Sequence, residues 1–211
     1  MCKIFFTFLV FAFAQVASAQ YAGYKPVANM SAFKTQFADA SQKINTIASD
    51  FTQQKTLSML SDKITSKGKF YFKKSNTVRM EYTSPYQYLM VIKDNKVLIK
   101  NGQKTNTMSA RSNKMFRQMN QLMVDCARGT VFDNKDFSVK LFEGAGAYLA
   151  EMTPLTKEMS TLFKKVTLTF NKAGFAVNQI QLTEPGGDNT VITYHNQKFN
   201  IPLSDALFDV R

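Results

Sequence analysis

The chain has 211 residues, 45% hydrophobic and 20% charged, with 27 Lys+Arg against 15 Asp+Glu for a net charge of +12. That composition is globular rather than disordered, and its length suits one domain. One His and two Cys cannot alone complete a zinc tetrad, so no metal site is expected, whereas 19 Phe and 11 Met are an apolar excess that needs a use.

The first residues read as an address. Lys3 precedes an apolar run from Ile4 to Ala14, and Ala17-Ser18-Ala19 follows as a small-residue cleavage site. The run is short of the roughly 20 residues that span a bilayer. Residues 1–19 are therefore predicted to be a cleaved signal peptide and 20–29 a leader, with one domain over 30–211 and a soluble, exported product. Cleavage removes Lys3, Cys2 and five Phe, leaving +11, 14 Phe and Cys126 as the one thiol. A single cysteine makes no internal disulfide, and Cys126 is expected to be buried and inert.

In chain order, Ser31 is a candidate N-cap for a helix through Gln42, with Phe33 and Phe37 spaced i, i+4. Residues 44–60 turn strand-like, with Ile47, Ser49, Phe51 and Gln53 on one face. From Ile64 to Lys73, Gly68, Phe70 and Phe72 alternate with Lys67, Lys69, Tyr71 and Lys73. From Thr77 to Thr83, Val78, Met80 and Tyr82 alternate with Arg79 and Glu81. Pro85 breaks the chain. Tyr88 to Ile92 is apolar throughout, which predicts a strand covered on both faces. Asp94-Asn95 and Asn101-Gly102 mark turns into strands at 97–99 and 104–108.

Then the period changes. Met115, Met119, Leu122 and Met123 fall at i, i+4, i+7 and i+8, with Phe116 beside them, and predict an amphipathic helix over 112–127. Strands resume at 137–142 and 148–153 on either side of Gly144-Ala145-Gly146, and 154–163 is a loop or short helix. Strands at 166–170, 175–182 and 191–199 complete a meander, the last hairpin turning at Gly186-Gly187. About ten to eleven mostly antiparallel strands must curl, close or split. The prediction is mainly β with α: a curled sheet with helices covering an apolar concave face.

Motifs for catalysis are weak. The sequence has no P-loop, no GxGxxG and no GxSxG, and Asp133 and Asp136 flank what reads as a turn. His195 lies on a strand and is expected at the surface or hydrogen-bonded. No nucleophile, base and orienter assemble, so an enzyme is not expected, nor a cofactor. The lysines are spread along strands (Lys67, Lys69, Lys73, Lys74, Lys93, Lys96, Lys100, Lys104) rather than gathered in an arm. They read as a solvated outer face or a surface attracted to anionic membranes or acidic partners, and nucleic acid is not expected. The Phe and Met excess fits either a filled core or a cavity for a greasy ligand.

The segment Ile47 to Lys55 (IASDFTQQK) resembles the opening strand of the LolA-like family of periplasmic outer-membrane lipoprotein carriers. Ser66 to Lys74 (SKGKFYFKK) is similar to the family's next strand, Val78 to Pro85 (VRMEYTSP) to the one after it, and Asp94-Asn95-Lys96-Val97 to a following hairpin. Val177-Asn178-Gln179-Ile180 through Phe199-Asn200, with Phe208, follows the family's last strands, so the likeness covers roughly 30–211. It implies an open, incomplete antiparallel β-barrel lidded by helices, whose interior holds the acyl chains of lipidated proteins. It implies as partners an inner-membrane ABC-type lipoprotein transporter and an outer-membrane receptor or acceptor.

By that resemblance Phe70, Phe72, Val78, Met80, Tyr82, Met90 and Ile92 would line the acyl cavity. Met115, Phe116, Met119, Leu122 and Met123 would form the inner face of the lid. Lys74 stands where the family has a basic residue that latches the lid, with Ser75 where the family has Pro and Met80 where it has Trp. Arg79 is the other latch candidate, although alternation turns it outward. Plain core packing is the alternative for each of these residues. At the level of function the alternatives are a carrier of another lipid or polyene, and a sensor of lipid or misfolded protein. Sensors on this fold carry a further C-terminal domain, and this chain ends at Arg211, so a carrier is expected.

Overall fold

The structure, a computed structural model, describes residues 21–59, 62–74, 76–93, 96–109 and 114–209. The segment expected to be a signal peptide and the expected Asp94-Asn95 turn lie outside the described residues.

A two-residue strand β1 (Lys25–Pro26) precedes helix α1 (Met30–Gln42). Six strands follow: β2 (Thr46–Thr56), β3 (Lys63–Lys73), β4 (Thr77–Ser84), β5 (Tyr88–Lys93), β6 (Lys96–Asn101) and β7 (Lys104–Ser109). Helix α2 (Lys114–Arg128) is followed by β8 (Phe137–Glu143), β9 (Ala147–Pro154), a one-turn α3 (Lys157–Ser160), β10 (Lys165–Asn171), β11 (Val177–Thr183) and β12 (Asn189–Phe199). A 3-10 turn at Asp205–Phe208 completes the described fold.

All twelve strands form one antiparallel sheet, ordered β1-β8-β9-β10-β11-β12-β2-β3-β4-β5-β6-β7. Two meanders, β2–β7 and β8–β12, are thus joined where β12 pairs with β2. The outermost strands β1 and β7 do not meet, so the barrel stays open. The strand missing from the sequence reading is β1, two residues of the leader that pair with β8. No alternation can show in two residues.

Alternation places the side chains as the period-2 pattern requires. Ser66, Gly68, Phe70 and Phe72 are buried and the lysines between them are not. Register shifts near Lys67/Gly68, Thr169/Phe170 and His195/Lys198 bend the sheet. Gly68 is a bend position for a steric reason: a Cβ there would stand 2.1 Å from the Glu81 carbonyl oxygen and 2.7 Å from the Phe51 ring.

Both longer helices lie on the concave side. The N-cap of α1 is Asn29, whose side chain accepts from the Ala32 amide, not Ser31. Asn and Ser cap equally well, and the earlier cap lets Met30 start the helix. Phe33 and Phe37 then point into an aromatic cluster with Phe132 and Phe170, at centroid separations of 4.9–6.5 Å. From α2, Leu122, Met123 and Cys126 join the same continuous core.

The sheet's outer face carries a second, smaller core. Val91 and Leu98 are covered there by Phe208, with Leu89, Leu203 and Leu207 around them. Hence β5 is apolar throughout: Ile92 faces the main core while Val91 lies under the C-terminal turn.

Candidate functional site

Helices α1 and α2 cover the concave face, with a seam between them. There a cleft opens between the C-terminal ends of α1 and α2, the β10–β11 turn and the last residues of β12. Its walls are Ser41, Ile44, Ile47, Phe70, Met123, Cys126, Ala127, Phe175, Ala176, Val177, Ile180, Tyr194, Gln197 and Phe199. The lining is mostly apolar, and the enclosed volume is about 60 Å³. A ligand pocket is usually about 300–1,000 Å³, so the helices must shift before a chain-like ligand can enter.

One wall is tied down by polar bonds. The Lys74 ammonium donates to the Gln42 carbonyl at 2.7 Å, and the Lys74 amide to the Asn45 carbonyl at 2.9 Å. The Asn200 side chain accepts from the Asn45 amide and donates to the Lys43 carbonyl. Carbonyls left over at a helix C-terminus are thereby satisfied. These bonds fasten α1 to the ends of β3 and β12.

The opposite wall is Phe175. The sequence placed it in a strand, but β11 starts at Val177 and Phe175 sits in the turn with φ +56°. A bulky residue in the left-handed region costs about 1–3 kcal/mol. Ring packing offsets that cost: Phe175 lies parallel to Tyr148 at 5.7 Å and edge-on to Phe33 at 5.5 Å.

At the roof, α2 ends at Gly129, with φ +79°, where a Cβ would stand 2.7 Å from the Ala38 Cα. The two helices therefore approach main chain to main chain beside the cleft. Cys126, on the roof, is buried, and burial pushes its thiol well above the ordinary range, so it stays protonated. Tyr194 is likewise pushed up by burial.

Of the residues nominated from the sequence, Phe70 and Met123 border this cleft. Phe72, Val78, Met80, Ile92 and Leu122 are buried in the closed core instead, with Tyr82 and Met90 half-buried against it. The Tyr82 hydroxyl donates to Gln53 at 2.8 Å. The side chains of Met115, Phe116 and Met119 lie outside the described residues. Lys74 reaches the helix. Arg79 reaches the opposite side of the sheet, donating to the Leu207 carbonyl and pairing with Glu81 at 2.8 Å. It holds the C-terminal turn over the outer core, beside a more polar groove of about 290 Å³ that also includes Lys100.

Ile44, Ile47, Phe175, Val177, Gln197 and Phe199 escaped the sequence reading because they meet only through the β12–β2 pairing. A hint was available in Phe175, a lone aromatic two residues before an alternating run. His195 is exposed on β12, opposite Asp50. Among the described residues, no three His, Cys, Asp or Glu side chains are grouped to hold a metal.

These features define an open half-barrel wrapped around two helices. The chain belongs to the family described as "Outer membrane lipoprotein carrier protein LolA", whose model matches residues 42–211. No curated protein sequence matches it. Among solved structures, an uncharacterized conserved protein from Thermus thermophilus shares the fold, with a TM-score of 0.53 at 9% identity, over 85% of this chain and 93% of that one. MucB gives 0.50 at 12%, over 87% of this chain and 63% of MucB. A LolA superfamily protein from Nitrosomonas europaea gives 0.43 at 11%, over 83% and 97%.

Proposed function

We propose that the protein shields the acyl chains of lipidated proteins in its half-barrel and carries them from the inner to the outer membrane. The observation that carries this reading is the apolar concave face covered by two helices, with an apolar cleft at their seam, in a chain of the LolA family. In the closed state the rings of α1 occupy the space that cargo would take. Displacing α1 exposes Phe33 and Phe37, and an acyl chain re-covers the face they leave. Each buried methylene contributes about 0.8 kcal/mol, so a long chain can compensate for an opened lid.

The partners that fit this role are an inner-membrane ABC-type transporter as donor and an outer-membrane receptor or acceptor. The signal-peptide pattern of residues 1–19 supports export to the periplasm. Among the described residues no helix is long and apolar enough to cross a membrane. The activity is binding and transfer, not catalysis.

The test is to purify the protein from the periplasm of a double-membraned host and identify what it retains. Acylated protein or lipid is expected, with saturable binding of a fluorescent fatty acid. Val177→Glu at the cleft is expected to weaken that binding about tenfold. A protein that retains no lipid and binds no fatty acid would overturn the reading.

A second cargo class has an observation of its own. The interior is unusually aromatic: Phe33, Phe37, Phe132, Phe170, Phe175 and Tyr148 form one ring cluster. Flat rings stack on conjugated chains, which favours another lipid or a polyene as cargo. The retained molecule's ultraviolet-visible spectrum separates the two.

A further inference from the structure

Among the described residues, five large apolar side chains stand exposed: Met59, Ile64, Tyr86, Leu155 and Phe199. Phe199 belongs to the cleft. The other four share the opposite end of the sheet. Strands β9, β2 and β4 run in the same direction, because each neighbouring pair in the order is antiparallel. The segments that follow them therefore emerge together, bringing Leu155 after β9, Met59 after β2 and Tyr86 after β4. Ile64 is the second residue of β3, at the same end. Met59 is 94% exposed on a hairpin tip, and no interior contact explains an apolar residue there.

The charges at this end point the same way. Lys63 opens β3, Lys67 lies farther along it opposite Ser84 of β4, Lys100 lies near the end of β6 and Lys104 opens β7; all four are exposed. None has an acidic partner among the described residues; the acids at this end are Asp62, exposed beside Lys63, and Glu184 and Asp188, which share Lys55. Tyr86 stacks on Tyr82 at 6.1 Å, and Tyr88 meets Tyr82 edge-on at 5.7 Å, so the rim carries a tyrosine ledge. Tyrosine rings favour the level of lipid headgroups. Apolar tips flanked by lysines match an anionic bilayer, which takes up both.

We propose that this end of the sheet, opposite the cleft, is a docking rim that rests on anionic phospholipid membranes, with Met59 and Tyr86 entering the headgroup layer and the four lysines meeting lipid phosphates. The surface is small, so binding is reversible and salt-sensitive. The bound molecule stands with its cleft away from that bilayer.

The test is cosedimentation of the purified protein with vesicles of phosphatidylcholine alone or with phosphatidylglycerol added. Binding is expected only with phosphatidylglycerol, and is expected to fall steeply with added salt. Met59→Asp and Tyr86→Asp are each expected to weaken it about tenfold. Lys63→Glu with Lys67→Glu should weaken it about 25-fold or more, at about fivefold or more per lysine. Lys198→Glu, a single charge reversal at the cleft end, should leave it within about twofold. Circular dichroism checks each variant's fold. Fatty-acid binding is expected to be unchanged in all of them, which separates this proposal from the carrier reading. Equal binding to both vesicle types, insensitivity to Met59→Asp and Tyr86→Asp, an equal loss with Lys198→Glu, or no binding to any vesicle would overturn it.

Discussion

The ammonium of Lys74, just past the end of β3, donates to the main-chain carbonyl of Gln42 in the last turn of α1, 2.7 Å away. A cation at a helix C-terminus is worth about 0.3–1 kcal/mol when exposed. The bond is thus strong enough to bias the position of α1 and weak enough to break when cargo competes. Lys74→Ala is expected to lower stability by that small amount and to speed uptake of a fluorescent fatty acid several-fold in stopped flow. An unchanged uptake rate would leave Lys74 as a helix cap alone.

Gly129 sets how closely the helices approach. Gly129→Ala puts a methyl group 2.7 Å from the Ala38 Cα, at a left-handed φ. Overpacking of this kind costs about 1–3 kcal/mol, visible as a lower denaturant midpoint. Gly68→Ala meets the Glu81 carbonyl oxygen at 2.1 Å and is expected to cost more, because the approach is closer and both strands are held in the sheet. A midpoint equal to that of the unaltered protein would show that the sheet can flatten at that bend.

Tyrosines govern stability at high pH. Burial pushes Tyr82 and Tyr194 upward, Tyr82 also by the phenols of Tyr86 and Tyr88. In the unfolded chain they ionise near their ordinary value of about 10. Their contribution is therefore complete below about pH 10 and is lost as pH rises above it toward the folded values. Denaturation midpoints measured from about pH 8 to about 11.5 should stay level and then fall. In Tyr82→Phe the fall is expected to be shallower.

Cys126 is expected to resist alkylation. A thiol pushed up by burial offers almost no thiolate near neutral pH. Iodoacetamide should label it slowly in the native protein and rapidly in denaturant. Because Cys126 lines the cleft, bound fatty acid should slow native labelling further. Fast labelling of the cargo-free protein would mean that the helices open often.

The alternating strands were legible because burial there repeats every two residues: Phe70 and Phe72, and Val78 and Met80, are inward as read. So was the double-sided strand β5, from its unbroken apolar run. The covering that explains its outer side was not, because Phe208 lies far away in sequence. The cleft was not legible for the same reason. Ser41, Met123, Phe175 and Phe199 share no local pattern and meet only when the two meanders join. Phe175 also breaks a local rule, with φ +56° at a bulky residue. Both α1 and α2 cover the concave face, as expected of the two helices, although lid residues were named only on α2. The α1 rings, spaced i, i+4, also belong to the cover, with Phe37 fully buried.

The pairing of β12 with β2 also sets the order in which the fold can be completed. Its register joins Thr56 to Asn189 and Ile47 to Phe199, partners separated by most of the chain. The first meander can form from local hairpins, but its edge at β2 waits for the last strand. Closing so long a loop is entropically slow and places the molecule among high-contact-order proteins. Until β12 arrives, Phe51, Phe70 and Phe72 face water on a half-built sheet. The apolar face that the helices cover in the folded protein is, in the nascent chain, a liability for aggregation that lasts until β12 arrives.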